Sequence, residues 1–200
     1  MKSVKELTAK AAAFFLAFTV ICGVLYTGVV TAFAQVLFPY QANGSIIEVD
    51  GKKYGSALLG QQYTGEEYLW GRIMNVDVST YQDAEGNAVL YAAPSNLSPA
   101  SPEYEALVQE RVAKLQAAHP EKQGQPVPVE LVTCSGSGLD PHISPAAAEY
   151  QVARISKARG ISEAQVREVL AQCTDKPFLG IFGEEVVNVL KVNLTLDGIL

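Results

Sequence analysis

The longest apolar stretch of this chain lies near its N-terminus and carries no charged residue from position 11 to position 38. Its 28 positions exceed the roughly 20 residues that a helix needs to cross a hydrocarbon core. Later apolar groups, such as residues 186–190, are short and interrupted. The pattern predicts a tail of residues 1–10, one transmembrane helix of residues 11–38 in the lipid bilayer, and a folded domain of residues 39–200.

The charges beside this run predict its orientation. Lys2, Lys5 and Lys10 precede the run, whereas no positive charge follows it before Lys52. Cytoplasmic flanks of membrane helices carry an excess of lysine and arginine. We therefore expect a single-pass protein of the cell (inner) membrane, with its N-terminus in the cytoplasm and its C-terminal domain outside.

A cleaved signal peptide is the alternative for the same run. Ala32, Phe33 and Ala34 form a small-x-small sequence of the kind that signal peptidase cuts. The uncharged stretch before it is longer than the roughly 7–15 apolar residues usual in a signal peptide. The length favours an uncleaved anchor, and a mature chain beginning at Gln35 would favour cleavage.

Helix and strand patterns alternate through residues 39–200, which predicts one mixed α+β domain. Asp50 and Gly51 stand between strand-like flanks and predict a hairpin. Residues 129–133 and the alternating residues 190–196 are typical of short strands.

Three helix starts can be read from capping residues. Ser101 and Ser144 are each followed by proline, which suits the first turn of a helix. The first helix should end before Pro120, and the second should run to about residue 158. Residues 162–165 match a capping box and begin the third helix.

The composition bears on two questions, nucleic-acid binding and disulfide formation. The net charge of −6 and the scattered basic residues argue against a nucleic-acid-binding protein. The three cysteines have no CxxC spacing and do not indicate a metal site. If the domain lies in an oxidising compartment, Cys134 and Cys173 could pair, but their spacing does not settle the point.

The most distinctive segment is the loop of residues 133–145, TCSGSGLDPHISP. It has no apolar periodicity, so it cannot be an amphipathic helix or a core strand. Serine and aspartate commonly bond the backbone of their own turn. We therefore interpret the segment as a shaped loop that ends in a helix cap, with structural or partner-contact positions at Ser135, Gly136, Ser137, Gly138, Asp140, Pro141, His142 and Ser144.

An extracytoplasmic hydrolase is the alternative reading of the same loop. Ser137, His142 and Asp140 supply the residue types of a nucleophile, a base and an orienting acid. The GxSxG sequence of a nucleophile elbow is absent. The structural reading is therefore favoured, and no catalytic residue is assigned.

Phosphate and metal sites have weak support. Gly136 and Gly138 could expose backbone N–H groups to an anion, but the GxxxxGK[ST] sequence and a nearby lysine are both missing. Asp140 and His142 would supply two metal ligands without an obvious third. The chain also has no DKTGT-type phosphorylation sequence. Gln61 and Gln62 could read a polar ligand or satisfy loop backbone, and the second interpretation is simpler.

An ordered set of short sequences, spread over the whole chain, carries a resemblance to a known family. After the apolar run come Gly60-Gln61, YLWGR at residues 68–72 and SNLSP at residues 95–99. The set is completed by the loop SGSGLDPHISP and, after it, by Gln151, Arg154, Arg159-Gly160, Gly183-Glu184, residues 187–190, Asn193, Leu194 and Asp197.

With these residues the chain resembles the C subunit of the bacterial Kdp potassium-transporting P-type ATPase. It departs from the usual family pattern at Ile73-Met74 and at Pro94. The resemblance implies a non-catalytic accessory subunit of the ATP-driven, high-affinity potassium import complex. Its partners would be a potassium-channel-like subunit and a P-type ATPase subunit, and it would assemble or stabilise the pump.

The resemblance also implies a role in raising the ATP affinity of the catalytic subunit, as a chaperone-like partner. Gln61, Gln62, Gln151 and Arg154 are the corresponding candidates for contact with nucleotide or partner. The predicted orientation conflicts with this role, since the nucleotide site of a P-type ATPase is cytoplasmic. No cofactor is therefore assigned to this chain: ATP would act through the catalytic subunit, and potassium is the transported ion.

An outside domain could instead assist potassium at the entrance of the complex. Of the 21 acidic residues all but Glu6 follow the apolar run, and of the 15 basic residues all but three lysines do. The domain is therefore acidic by eight charges, 20 against 12. Such a field concentrates cations modestly, and salt screens it beyond about 8–10 Å.

Overall fold

The computed structural model describes residues 3–200, apart from the side chains of residues 77–80, 88 and 90. Lys2, which contributes to the predicted orientation, lies outside the described residues. The chain divides into two compact units, one ending at Ile46 and the other spanning Ile47–Leu200.

The first unit is dominated by one apolar helical run, Val4–Leu37, of 34 residues. Helix α1 (Val4–Phe18) continues through a π-helical segment (Thr19–Tyr26) into α2 (Thr27–Leu37). A short helix α3 (Pro39–Ala42) follows. The predicted apolar helix is confirmed, and its length and composition suffice to cross a membrane. The boundaries at residues 10, 38 and 39 stay predictions.

The predicted hairpin is confirmed as strands β1 (Ile46–Val49) and β2 (Lys52–Ser56). Asp50 and Gly51 both have positive φ, 51° and 77°, as a tight two-residue turn between right-twisted strands requires. Strands β3 (Val76–Gln82) and β4 (Ala88–Ala92) form a second antiparallel pair, which the sequence patterns did not indicate.

The three predicted helix starts are confirmed. Helix α4 (Pro102–Ala118) begins after Ser101, and α7 (Glu163–Gln172) begins with a complete capping box at Ser162. The second predicted helix is divided at Gln151 into α5 (Pro145–Tyr150) and α6 (Val152–Arg159). Gly160 then ends α6 in the left-handed conformation, with φ of 65°.

The strand predicted at residues 129–133 is wrong. Val129–Leu131 is a single 3₁₀ turn. The N–H of Leu131 donates to Pro128 O at 3.1 Å, and the N–H of Thr133 donates to Val129 O at 3.0 Å. These local bonds use the backbone groups that a strand would offer to a neighbour. Cys134, the residue after this segment, makes an isolated bridge to Ile73.

The strand predicted at residues 190–196 is also wrong, since Val189–Leu196 forms helix α8. Asn188 starts the helix by accepting the N–H of Lys191 at 3.0 Å. Val192, Asn193 and Leu194 are all buried in succession, so the alternation of apolar and polar letters does not correspond to alternating exposure. An eight-residue run with this pattern fits both the period of a strand and the period of a helix. Burial on several sides of the segment favours the helix.

A three-stranded antiparallel sheet lies among these helices, in the order β5 (His142–Ile143), β7 (Val186–Asn188), β6 (Thr174–Asp175). Helices α5, α7 and α8 supply much of the core around it. The side chains buried most completely there include Leu69, Ile143, Ile155, Val166, Val187 and Val192. The second unit is therefore an α+β domain, as predicted.

Candidate functional site

The loop of residues 133–145 is shaped by bonds from its own polar side chains. Ser135 Oγ accepts the N–H of Gly138 at 3.0 Å, and Ser137 Oγ accepts the N–H of Leu139 at 3.1 Å. Asp140 Oδ1 accepts the N–H of His142 at 3.0 Å. The hydroxyl and carboxylate groups thus form turns, which is the structural role that the sequence predicts.

The hydrolase arrangement is not assembled in this loop. His142 Nε2 lies 3.2 Å from the Nδ2 of Asn188, which donates to it, and Ser137 Oγ lies 3.3 Å from Ser135 Oγ. His142 Nδ1 is 3.8 Å from Asp140 Oδ1, beyond hydrogen-bond distance. The imidazole atom that would act as base is therefore bonded to an amide and not to the serine.

Close backbone approaches hold the loop against earlier parts of the domain. The N–H of Gly60 donates to Leu139 O at 2.7 Å, and a Cβ at Gly60 would come within 2.8 Å of Asp140 O. Gly138 has φ of 74°, and a Cβ there would lie 2.7 Å from Ala93 O. Both positions require glycine, whereas the Cβ position of Gly136 is open.

Arg72 and Ser144 also attach the loop to the rest of the domain. The Arg72 guanidinium donates to Cys134 O at 3.4 Å and lies 3.7 Å from Asp140. Ser144 caps α5 by accepting the N–H of Ala147, and its N–H and hydroxyl donate to the carboxylate of Glu130. The partly buried loop is therefore fixed at both ends.

Pro141 contributes a backbone contact. Its carbonyl accepts the N–H of Val189 at 3.0 Å, where β7 passes into α8. The two cysteines that could have paired are free: Cys134 is half-buried, and Cys173 is buried. Burial raises the pKa of the Cys173 thiol.

Gln151 is fully buried and hydrogen-bonds the backbone of Trp70. Its Oε1 accepts the N–H of Trp70 at 2.9 Å, and its Nε2 donates to the Trp70 carbonyl at 2.9 Å. Nε2 also donates to Ala147 O at 3.2 Å. The side chain thus replaces a neighbouring strand for one residue of the segment 68–72.

Asn193 makes the same kind of contact with the preceding residue. Its Oδ1 accepts the N–H of Leu69 at 2.8 Å, and its Nδ2 donates to the Leu69 carbonyl at 3.0 Å. Residues 69 and 70 are therefore held by two buried amides, one from helix α8 and one from the junction of α5 and α6. The sequence pattern did not indicate that Asn193 is buried, because the alternation of apolar and polar residues places it on the polar face of a strand.

Among the charged residues whose side chains the structure describes, Arg154 is the most buried, with 5% of its surface exposed. Its guanidinium donates to the carbonyls of Glu66 and Tyr68, to Gln151 Oε1 at 2.8 Å and to His119 Nε2 at 3.1 Å. Burial lowers the pKa of Arg154 to about 10, while nearby glutamates favour its charge. The group remains a cation at neutral pH and organises the segment that precedes Leu69.

His119 and Trp70 enclose the same guanidinium, and sequence reasoning did not identify His119. The Arg154 carbon Cζ lies 4.1 Å from the centre of the Trp70 ring, a cation–π contact. His119 is fully buried, and its Nδ1 lies 2.8 Å from Leu115 O. Since Nε2 accepts from Arg154, the proton of the neutral ring lies on Nδ1. Burial lowers the pKa of His119.

The two paired glutamines have different environments. Gln61 is half-buried, and its Nε2 donates to Tyr54 O at 2.8 Å, which is the structural role favoured above. Gln62 is exposed and borders a cavity of about 300 Å³. That cavity is lined by an aromatic ring, two cations and a carboxylate among its residues: Trp70, Arg111, Lys114 and Glu110.

The structure therefore brings together some predicted positions and separates others. Gln151 and Arg154 form one buried network, and the loop of residues 133–145 forms another set of contacts. Gln61 and Gln62 belong to neither network. Among the described residues there is no group of three metal-ligating side chains.

Comparison with known proteins identifies the family of this chain. The family model of the K+-transporting ATPase c chain, KdpC, matches residues 8–198. A "Potassium-transporting ATPase KdpC subunit" from Clostridium botulinum (strain Alaska E43 / Type E3) is 56% identical over 200 residues, the full length of both chains. Proteins of the same name share 60% identity in Clostridium perfringens (strain ATCC 13124), over 92% of this chain and 93% of that one, and 47% in Herpetosiphon aurantiacus, over 91% of each.

Proposed function

We propose that this chain, which belongs to the KdpC family of K+-transporting ATPase c chains, is the non-catalytic subunit that assembles and stabilises its potassium-transporting complex. The observation that carries the proposal is the use of the polar groups of the loop 133–145. Ser135, Ser137 and Asp140 bond the loop backbone, and the His142 base atom is bonded to Asn188. A loop whose reactive groups shape its own backbone suits recognition by a partner better than bond breaking.

The partners we propose are a potassium-channel-like subunit and a P-type ATPase subunit of the same complex. Gly60, Gly138 and Arg72 hold the loop in one conformation before any partner binds. A preformed surface loses little conformational entropy on association, which favours a stable complex. The half-exposed face of the loop, with Ser135, Ser137 and His142, is the proposed contact.

For the membrane arrangement we propose that residues 1–10 lie in the cytoplasm, 11–38 span the membrane and 39–200 lie outside. The asymmetry of lysines around the apolar run supports this orientation. Outside the cell, the excess of acidic residues would favour cations near the potassium entrance, as a modest and salt-sensitive effect.

Nucleotide contact is the second candidate function, and one observation favours it. Gln62 borders a cavity whose Trp70, Arg111 and Lys114 suit an aromatic anion. Gln61, Gln151 and Arg154, the other proposed contacts, bond the fold itself. A role in raising ATP affinity also requires the domain in the cytoplasm, so the membrane orientation decides between the two functions.

Mild detergent extraction of the complete complex tests the assembly role. Tagging another chain of the ATPase should recover this chain in equimolar amount, and omitting it should leave the remaining chains dissociated or inactive. Recovery of a stable, active complex without this chain would contradict the proposal.

A further inference from the structure

The connection between β6 and β7 carries an exposed apolar tip, formed by Phe178, Leu179, Ile181 and Phe182. Their exposed fractions are 71%, 72%, 77% and 63%. Four large apolar side chains within five residues are unusual on a soluble surface, where such residues are normally scattered. Neither the loop 133–145 nor the buried network uses them.

The tip has a defined conformation. The N–H of Phe178 donates to Phe182 O at 2.8 Å, and the N–H of Phe182 donates to Phe178 O at 2.9 Å. Leu179 has φ of 54° and Gly180 has φ of 72°, so a leucine occupies the left-handed region that glycine or asparagine fills more easily. The turn therefore holds an apolar side chain outward at some cost in backbone strain.

The tip is also connected directly to the core. Asp175 of β6 pairs with Val186 of β7, and the turn extends from this pair. In β7, Val187 and Asn188 are buried, and Asn188 donates to His142 of the loop 133–145. A contact at the tip therefore acts on β7, which pairs with strand β5 of the loop 133–145.

We propose that the apolar tip inserts into an apolar pocket on another chain of the same ATPase, and that basic residues line the rim of that pocket. Glu184 and Glu185 are both exposed immediately after the tip, and Lys176 is the one cation adjoining it. The apolar centre and the acidic rim match the general anatomy of a binding anchor. This proposal rests on the proposed function, because it requires that the chain belong to a complex.

The charges near the tip argue against two other binding partners, a lipid bilayer and a second copy of this chain. A bilayer surface with anionic lipids attracts segments rich in lysine and arginine, whereas the acidic pair Glu184 and Glu185 would be repelled. A symmetric contact between two copies, centred on this tip, would bring the two acidic pairs close together. A pocket with a basic rim on a different chain avoids both repulsions.

Site-specific photocross-linking in the complete complex identifies the occupant. Benzoylphenylalanine is placed at Ile181, and for comparison at Val129, which is 69% exposed but lies outside the tip. We expect irradiation to join Ile181, and not Val129, to another chain of the ATPase. Adducts from Ile181 to lipid, adducts to a second copy of this chain, or no adduct beyond the Val129 background would each overturn the proposal.

Substitution measures what the contact contributes. The double variant Leu179→Asn with Ile181→Thr keeps the backbone conformation accessible, because asparagine tolerates positive φ. Its recovery with the other chains should fall more than about tenfold after washing, whereas Val129→Asn should match the wild type. Glu184→Lys with Glu185→Lys should also reduce recovery, and an increase would contradict the basic rim. Unchanged recovery of the tip variant, with a wild-type chain that does co-purify, rejects the tip while leaving the assembly role intact.

Discussion

The side-chain amide of Asn193 bonds both backbone polar groups of Leu69, 124 residues earlier in the chain. Leu69 is fully buried, so no solvent is available to its N–H and carbonyl groups. The pair joins helix α8 to the segment 68–72, and Gln151 repeats the contact at Trp70. This central segment is thus stabilised by side chains and not by a sheet.

Replacing Asn193 with leucine should therefore destabilise the domain by about 2–4 kcal/mol, because two buried backbone groups lose their partner. Chemical denaturation of the full chain in detergent measures the change in the free energy of unfolding. Gln172→Leu is the control, since Gln172 is exposed at the end of α7 and should leave stability nearly unchanged. Equal effects of the two substitutions would show that the Leu69 contact contributes nothing.

Arg154→Lys should cost about 3 kcal/mol of stability, although the charge is kept. A lysine carries its three N–H donors on a single nitrogen, which cannot reach the Tyr68 carbonyl, Gln151 and His119 from one position as the Nε and Nη2 atoms of the guanidinium do. Arg167→Lys is the matched control, because Arg167 makes exposed ion pairs with glutamates. Its denaturation midpoint should stay close to the wild type; a midpoint shift as large as that of Arg154→Lys would contradict this account.

Stability should fall as the pH drops below about 6.5, the ordinary pKa of histidine. Burial lowers the pKa of His119 in the folded state, so the unfolded chain binds more protons in this window and unfolding becomes easier. Protonation would also place a cation against Arg154 and remove the acceptor for its Nε–H. Glu121 opposes the shift, and Lys122 adds to it.

Unfolding free energies measured between pH 7.5 and about 5.5 test this sign. His119→Gln should remove most of the slope, because glutamine keeps an acceptor for Arg154 but does not titrate. His142→Gln should retain the slope, because His119 is still present. A slope that survives in His119→Gln would assign the pH dependence to other groups.

The proposed orientation predicts the labelling of cysteines in intact cells. In a variant without Cys22, Cys134 and Cys173, a cysteine replacing the exposed Gln123 should react with an impermeant maleimide. A cysteine replacing the exposed Glu6 should react only after the membrane is permeabilised. The reverse pattern would place the domain in the cytoplasm and would favour the nucleotide role over the potassium entrance.

Local signals predicted three helix starts and the hairpin of this domain correctly. The Ser162 capping box and the Asp50-Gly51 turn depend on neighbouring residues alone, so the sequence contains what is needed. The segment containing Leu190 and Asn193 was misread because apolar and polar letters were equated with buried and exposed positions. Asn193 is fully buried, and its partner Leu69 is distant in the chain.

The candidate site shows the same difference between local contacts, which the sequence predicts, and contacts between distant segments, which it does not. Its turn-forming bonds from Ser135, Ser137 and Asp140 were predictable, because each bond spans two or three residues. The role of His119 was not, since its contact with Arg154 joins the residue that follows α4 to helix α6. Contacts between distant segments depend on the whole fold, which single-residue patterns do not encode.

The most direct test of the non-catalytic role is reconstitution of potassium-stimulated ATP hydrolysis from separately purified components. We predict that this chain alone hydrolyses no ATP, and that adding it to the remaining chains restores the potassium-stimulated rate in proportion to its occupancy. At equal occupancy of the complex, the Ser137→Ala chain should restore the same rate as the wild type. ATP hydrolysis by the isolated chain, or loss of restoration in the Ser137→Ala variant with unchanged binding, would contradict the account.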